Sequence, residues 1–239
     1  MKDAPNASAR TEDFEFAALQ EARNYRQSVL DSFAEFLHGR VLEVGAGIGQ
    51  ITDELLKNPR ITKLVSVEPD ARFFVKLQAR HPGHEVLPGT VAALPAGGAW
   101  DAILSINVLE HIEDDRGELA RYRRLLAGQR GRLCLFVPAR PEIYAPIDQD
   151  FGHFRRYTRA ELKQKLTGAG FEIEELHYYN FAGYFAWWLS FCLLKRRGFD
   201  AASVRLFDRA IFPLVRVLEA KVCRPPFGQS LLAIARAKD

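Results

Sequence analysis

The first feature of this chain that could do chemistry is a glycine-rich turn, GAGIG at residues 45–49, between an apolar strand-like segment and a helix-like segment. Glycines let the backbone turn tightly and approach a ligand without a clash from a Cβ atom. The helix that follows offers unpaired backbone N–H groups to polar ligand atoms. The turn predicts a nucleotide-type cofactor, although nicotinamide and flavin enzymes also use turns of this kind.

Three details narrow the cofactor class. The spacing is GxGxG, and Gln50 stands where a dinucleotide-binding turn would have its third glycine. Glu43 precedes the turn, where a carboxylate would repel a pyrophosphate and attract a cationic amino-acid moiety. Glu68 ends the next predicted strand, where a carboxylate can accept hydrogen bonds from both ribose hydroxyls. Gln50 and Glu43 therefore disfavour a nicotinamide-dependent oxidoreductase.

A second group of polar residues could contact an acceptor molecule. Tyr144, Asp148 and His153 follow the predicted fifth strand, and His111 follows the predicted fourth strand. Functional groups tend to gather in such loops, so we treat these four residues as candidate catalytic residues. Structural packing or a structural hydrogen bond is the alternative interpretation for each of them.

Strands and helices that alternate along the chain would position these residues. Strands are predicted at 40–44, 64–68, 85–87, 100–106, 132–137, 171–179 and 230–237, and helices at 14–37, 50–56, 71–80, 116–126 and 158–169. This alternation predicts a parallel sheet with helices on both faces. Ligands of such sheets bind at the carboxyl ends of the strands, where the glycine turn and Asn107 lie.

Five motifs in this order resemble the class I S-adenosylmethionine-dependent methyltransferases. They are Glu43-x-Gly45-x-Gly47-x-Gly49, Val67-Glu68-Pro69-Asp70, Leu94-Pro95, Asn107-Val108-Leu109-Glu110-His111 and Gly131-Arg132-Leu133. The resemblance covers roughly residues 25–171 and the final strand. It implies an α/β fold, a Rossmann-like, doubly wound and mostly parallel seven-stranded sheet, with residues 14–239 as a single methyltransferase domain.

The resemblance also implies a site for S-adenosyl-L-methionine and its product S-adenosyl-L-homocysteine. Glu43 and the glycines would hold the methionine end, Glu68 the ribose, and the loop around Thr90 the adenine. Tyr25 could reach the ligand carboxylate or could instead be a core aromatic. The cofactor-binding residues so implied are Tyr25, Glu43, Gly45, Ala46, Gly47, Gly49, Glu68, Pro69, Thr90, Val91, Asn107, Val108 and Leu109. No metal site is predicted.

Methyl transfer from a sulfonium is an in-line displacement, and the leaving group is a neutral thioether. The protein contributes mainly proximity, alignment and desolvation. A general base is needed only if the acceptor loses a proton near the transition state. The lack of an obvious catalytic constellation in the sequence is therefore compatible with a methyltransferase.

Residues 181–228 form an aromatic, basic and helical insertion between the last two predicted strands. The insertion could pack on the sheet or on a second subunit, or it could be a lid over a large apolar acceptor. Aromatic rings beside the basic run 195–197 are also what an interfacial helix presents. We therefore expect a small, apolar or lipid-like acceptor, with peripheral membrane contact through 184–197 and a homodimer as further hypotheses.

Composition sets the remaining expectations. With 239 residues and 48% hydrophobic residues, the chain can bury a core without disulfides. Three separated cysteines, Cys134, Cys192 and Cys223, indicate a reducing compartment. The polar segment 1–13 is expected to be a flexible tail, and it lacks the apolar core of a signal peptide. We expect a cytoplasmic protein that could act peripherally at the inner membrane face.

One alternative to a methyltransferase of small molecules remains open, and it does not involve nucleic acid. A net charge of +3 and the lack of a long basic stripe give no reason to expect nucleic acid as a partner. An S-adenosylmethionine-binding protein without methyl transfer, either a regulatory module or a non-methylating cyclase-type enzyme, is the second candidate.

Overall fold

A computed structural model describes residues 20–95, 100–126, 131–221 and 225–238. Seven strands form one sheet: β1 (Gly39–Val44), β2 (Ile61–Glu68), β3 (Glu85–Pro88), β4 (Ala102–Ile106), β5 (Arg132–Pro138), β6 (Phe171–Tyr179) and β7 (Ser230–Ala237). Their order across the sheet is β3-β2-β1-β4-β5-β7-β6. Strand β7 is antiparallel to β5 and β6, and the other neighbouring strands pair in parallel. The predicted mostly parallel, seven-stranded fold is confirmed.

Nine α-helices accompany the strands in the described residues. They are α1 (Arg23–Phe33), α2 (Thr52–Leu55), α3 (Ala71–Arg80), α4 (Asp115–Leu125), α5 (Pro146–Asp150), α6 (Arg159–Gly168), α7 (Phe181–Trp187), α8 (Ala201–Leu206) and α9 (Phe212–Lys221). π-Helical turns, Trp188–Leu193 and Phe207–Ile211, extend α7 and join α8 to α9. Within the described part of the chain, every helix is too short or too polar to cross a membrane.

Apolar layers cover both faces of the sheet. Consecutive strand residues point to opposite faces, so Leu42 belongs to one buried cluster and its neighbour Val41 to the other. Residues of α4 and α6 complete the first cluster, and residues of α1 and α9 complete the second. Because helices cover both faces, the carboxyl edge of the sheet is where a ligand can reach the strand ends.

The structure differs from the sequence predictions in a few boundaries. Strand β4 begins at Ala102, because Trp100 makes only an isolated bridge to Leu126. Helix α5 lies in a segment predicted as a loop, where Pro146 stands at a helix start, a position that suits its fixed φ angle. The predicted tail 1–13 and Cys223 lie outside the described residues.

Candidate active site

Strand β1 leads directly into the glycine-rich turn. Gly45 and Gly47 have φ angles of 69° and 56°, in the left-handed region that disfavours residues with a Cβ atom. A Cβ atom on Gly45 would lie 2.5 Å from Cγ2 of Val108. The backbone N–H of Gly47 donates to Oε2 of Glu68 at 2.7 Å. The glycines thus allow the turn to lie against the ends of both β2 and β4.

Glu68 is the buried acid at the end of β2. Its Oε1 atom accepts a hydrogen bond from the backbone N–H of Asp70 at 2.8 Å, in addition to the bond from Gly47. Burial raises the pKa of Glu68, because desolvation disfavours the charged carboxylate. Each carboxylate oxygen has more than one acceptor direction, so Glu68 can also accept from the hydroxyls of a ligand.

A cavity of about 450 Å³, the inner cavity, opens at the carboxyl ends of β1, β2 and β4. It brings together most of the predicted cofactor-binding residues: Tyr25, Gly45, Ala46, Gly47, Glu68, Pro69, Thr90, Asn107 and Val108. Phe73, Ile106, Phe136 and Phe151 also line it. The sequence predictions missed the three phenylalanines, because nothing in their local pattern distinguishes them from core residues.

The other predicted cofactor-binding residues, Glu43, Gly49, Val91 and Leu109, are not among the residues that line the inner cavity. Glu43 is 2% exposed. Its Oε2 atom accepts hydrogen bonds from the Thr52 hydroxyl at 2.7 Å and the Ser66 hydroxyl at 2.5 Å. Burial raises the pKa of Glu43 to about 7. Glu43 therefore supports the glycine turn from below, joining β1 to β2 and α2.

A second cavity of about 430 Å³, the outer cavity, adjoins the first. Tyr25, Asn107 and Phe151 line both cavities. The rest of the outer cavity is lined largely by the segment 183–211, whose apolar members include Trp187. The predicted insertion thus forms the outer wall of a space that is continuous with the inner cavity.

Three polar side chains meet where the two cavities adjoin. His111 lines the inner cavity, and Glu110 and His153 line the outer cavity. The rings of His111 and His153 meet edge to face with centroids 4.6 Å apart, and Nε2 of His153 lies 4.0 Å from Oε1 of Glu110. Burial and, to a lesser degree, His153 lower the pKa of His111 to about 3. His111 is therefore neutral at physiological pH.

Asp148 contacts the ring of His153, and Tyr144 contacts its backbone carbonyl. Oδ1 of Asp148 lies 3.0 Å from Nδ1 of His153 and accepts a hydrogen bond from Arg156 Nε at 2.9 Å. Burial opposes ionisation of Asp148, but His153 and Arg156 outweigh it and lower the pKa of Asp148. The Tyr144 hydroxyl donates to the carbonyl oxygen of His153 at 2.6 Å. Neither Asp148 nor Tyr144 lines the inner or the outer cavity, so both position His153.

Trp187 attaches the insertion to the rest of the domain. Its indole N–H donates to the Ile143 carbonyl at 3.1 Å, and the Arg156 guanidinium lies 4.3 Å from the ring centroid. Trp187 and Phe191 share one apolar cluster with Ile143, Phe151 and other residues. This packing fixes the outer wall directly beside His153, because Phe151 and Arg156 flank that histidine in the chain.

Asp208 makes a second attachment of the insertion. It is 2% exposed and accepts hydrogen bonds from the backbone N–H groups of Asn24 at 3.0 Å and Tyr25 at 2.8 Å. These N–H groups lie in the first turn of α1, where helices leave such donors without an intrahelical partner. Asp208 therefore ties the insertion to the helix that carries Tyr25.

The insertion helices expose many large apolar side chains. Those at least a third exposed are Phe181, Phe185, Trp188, Leu189, Leu193, Leu194, Leu206, Ile211, Leu214, Val217 and Leu218. The exposed basic residues Lys195, Arg196 and Arg197 lie between the first and second of these helices. We call this set the insertion surface.

Comparison with known proteins gives one consistent family. Residues 17–176 match the family described as "Methyltransferase domain". A protein of Mycolicibacterium smegmatis named "Probable S-adenosylmethionine-dependent methyltransferase" is 28% identical over 138 residues, which are 56% of this chain. The aligned segment covers 52% of that relative, so the match spans about half of its length.

Solved structures share the fold over most of the chain. A chain from the Haloferax volcanii complex of the Trm112 methyltransferase activator with a methyltransferase has a TM-score of 0.65 at 14% identity, covering 100% of both chains. A SAM-dependent methyltransferase of Thermotoga maritima has a TM-score of 0.63 at 20% identity, covering 98% and 100%. The N-methyltransferase NodS of Bradyrhizobium japonicum, crystallised with S-adenosyl-L-homocysteine, has a TM-score of 0.58 at 16% identity, covering 91% and 87%. At these identities the likeness establishes the fold.

Proposed function

The chain belongs to the methyltransferase domain family, and we propose that it transfers a methyl group from S-adenosylmethionine to a small, apolar or lipid-like acceptor. The observation that carries this proposal is the junction of the two cavities at Tyr25, Asn107 and Phe151. A methyl group presented from the inner cavity at this junction would face a molecule held in the outer cavity.

The residues of the inner cavity fit the cofactor. Glu68 is placed to accept hydrogen bonds from ribose hydroxyls, and the glycine turn lets backbone N–H groups approach the ligand. Thr90 and Phe73 also line this cavity, and we propose that they flank the adenine ring. When bound, the cofactor supplies a methyl group on a sulfonium sulfur and leaves as a neutral thioether.

The outer cavity supports an apolar acceptor. Its wall includes Trp187, Phe191 and Phe199, which would exclude water from the reaction and hold an apolar body by burial. Among the polar residues of the wall, we propose that His153 contacts the reacting end of the acceptor. Asp148 and Tyr144 would set the orientation of His153, and His111 would face the cofactor side of the same junction.

The insertion surface supports a membrane as the source of such an acceptor. Exposed apolar side chains beside an exposed basic run suit contact with an anionic membrane surface. We propose that helix α7 and its extension rest on the membrane and admit a lipid-like acceptor to the outer cavity. A second copy of the chain on the same surface is the competing arrangement.

A transfer assay tests the proposed reaction. The full chain would be incubated with S-adenosylmethionine carrying a tritiated methyl group and a panel of apolar phenols, quinols and hydroxylated acyl compounds. We expect tritium in the organic extract with wild type and little with the Glu68→Ala variant. Cofactor binding without transfer to any compound class would instead favour a binding module that lacks methyl transfer.

Vesicle sedimentation tests the membrane contact. We expect the protein to sediment with vesicles of phosphatidylglycerol and phosphatidylcholine, and Trp188→Ser with Leu193→Ser to reduce binding. Replacing Lys195 and Arg196 by Gln should weaken binding by about thirtyfold, since each basic residue contributes ~1 kcal/mol near an anionic surface. Leu56→Ser is the matched control, because Leu56 is also exposed but lies outside the insertion.

Two results would contradict the membrane contact. The first is an absence of binding to anionic vesicles. The second is a dimer in solution that the same surface substitutions dissociate, which would assign the insertion surface to a second copy of the chain.

A further inference from the structure

We infer that Glu110, His111 and His153 form a binding site for one divalent transition-metal ion at the junction of the two cavities. Their candidate ligand atoms all lie within 4.8 Å of one another. The ion site follows from the geometry of this cluster alone, whereas its role in catalysis rests on the proposed methyl transfer.

The donor set suits such an ion. Two imidazole nitrogens and one carboxylate oxygen are the donors of metal sites that keep open positions for other ligands. An ion about 2.1 Å from each donor would draw the three groups closer together than they are in the structure. The remaining positions would face the cavities that His111 and His153 line.

Both histidines already have the outer contacts typical of metal ligands. Nδ1 of His153 lies 3.0 Å from Asp148, and the ring of His111 hydrogen-bonds to the Phe151 carbonyl. A metal-binding histidine usually donates its second ring N–H to a carboxylate or carbonyl in this way. Among the described residues, Nε2 of His153 has no hydrogen-bond partner, and its side chain is only 6% exposed. This nitrogen is therefore oriented and available for a ligand.

The electrostatics of the cluster are consistent with a bound cation. Glu110 is fully buried, and a buried carboxylate is stabilised by a bound cation. Arg156 pairs with Asp148 at 2.9 Å, and the same carboxylate contacts Nδ1 of His153.

The ion would select acceptors that carry a hydroxyl group. An acceptor oxygen bound to the ion loses its proton to water more easily, because the cation stabilises the oxyanion. An oxygen lone pair then forms the bond to the methyl carbon, and the electron pair of the sulfur–methyl bond stays on sulfur. This narrows the acceptor to an apolar alcohol, phenol or enol.

Metal binding can be measured on the full chain without the acceptor. After treatment with EDTA and desalting, the protein would be titrated with Mn²⁺ by electron paramagnetic resonance and with Zn²⁺ by calorimetry. We expect about one ion per chain, and at least tenfold weaker binding in His153→Ala, His111→Asn and Glu110→Gln. The His38→Ala variant is the control, because His38 is exposed and far from the cluster in sequence.

A second titration separates this inference from the proposed function. S-adenosylhomocysteine binding, measured in EDTA, should be retained by wild type and by His153→Ala, which also shows that the variant folds. Retained cofactor binding with no uptake of Mn²⁺ or Zn²⁺ by wild type would overturn the metal site alone. Ion uptake that all three cluster variants retain would also overturn it. Loss of S-adenosylhomocysteine binding by wild type would instead overturn the proposed function.

Discussion

At the scale of single residues, two glutamates at the ends of neighbouring strands have different surroundings. Glu68 accepts hydrogen bonds from backbone N–H groups and lines the inner cavity. Glu43 accepts from two hydroxyls beneath the turn and lies off the cavity wall. Backbone donors stabilise the charged form of Glu68, whereas a hydroxyl can donate to the ionised Glu43 and can also accept from its protonated form. Glu68 thus suits ligand binding, and Glu43 suits support of the turn.

The raised pKa of Glu43 predicts a pH-dependent stability. Its pKa rises from 4.5 to about 7 on folding, so the folded state binds the proton more tightly than the unfolded chain does. The contribution of Glu43 to the free energy of unfolding is therefore complete below about pH 4.5 and declines until the pH exceeds about 7. We expect Glu43→Gln to reduce the loss of stability between these pH values by about 2–3 kcal/mol.

Urea denaturation of wild type and Glu43→Gln across this pH range measures the effect. Glu85→Gln is the matched control, since Glu85 is exposed at the start of β3. An unchanged pH dependence in Glu43→Gln would show that this carboxyl group titrates normally in the folded protein.

The sequence could place the cofactor residues at one edge of the sheet but could not orient them. Alternating strands and helices require the glycine turn, Glu68 and Asn107 to follow strand ends, and the structure places all three on the inner cavity. The direction of the Glu43 side chain depends on Thr52 and Ser66, which lie on different elements. Phe151 reaches the junction through the packing of α5 against the insertion, which no local pattern predicts.

At the scale of elements, Asp208 links α1 to the insertion and so helps to place Tyr25. We expect Asp208→Ala to destabilise the first turn of α1 by about 1–2 kcal/mol, as the loss of a helix cap does. Hydrogen exchange of the α1 amides measures this loss. Asp200→Ala is the matched control, because Asp200 caps α8 through Ser203 and should affect only α8.

Unchanged exchange in α1 after the Asp208→Ala substitution would contradict this link. It would mean that packing of Tyr25 against Phe136, Tyr179 and Phe212 is enough to hold the helix.

The sequence predicts a helix cap but not the irregular turns within helices. The predicted cap at Thr158 is present, with its hydroxyl accepting from the Glu161 N–H at 3.1 Å. The π-helical turns at 188–193 and 207–211 were not predicted. One additional residue per turn leaves composition and approximate spacing unchanged, so helical periodicity alone cannot distinguish these turns from α-helix.

At the scale of the whole molecule, strand directions explain the position of the insertion. Strand β7 is antiparallel to both β5 and β6, so β6 runs in the same direction as the first five strands. The chain therefore leaves β6 at the carboxyl edge of the sheet and enters β7 from that same edge. Any segment inserted between them must start and end at this edge, and this one forms a wall of the outer cavity.

Cofactor binding should stabilise the whole domain, because the inner cavity joins β1, β2, β4 and α1. A ligand at 100 times its dissociation constant contributes about 2.7 kcal/mol to the free energy of unfolding. For a chain of this size we expect S-adenosylhomocysteine to raise Tm by about 5–10 °C, measured by scanning calorimetry. NADH is the control ligand, and a larger rise with NADH would contradict the assignment of the inner cavity.

Calorimetric titration with S-adenosylhomocysteine, comparing wild type with Glu68→Ala, measures directly whether the inner cavity binds the cofactor. We expect saturable binding to wild type and at least about tenfold weaker binding to Glu68→Ala, because hydrogen bonds to a charged group contribute about 1.5–3 kcal/mol each. Glu85→Ala should bind like wild type. Binding that Glu68→Ala leaves unchanged, or no binding to wild type, would contradict the assignment of the inner cavity to S-adenosylmethionine.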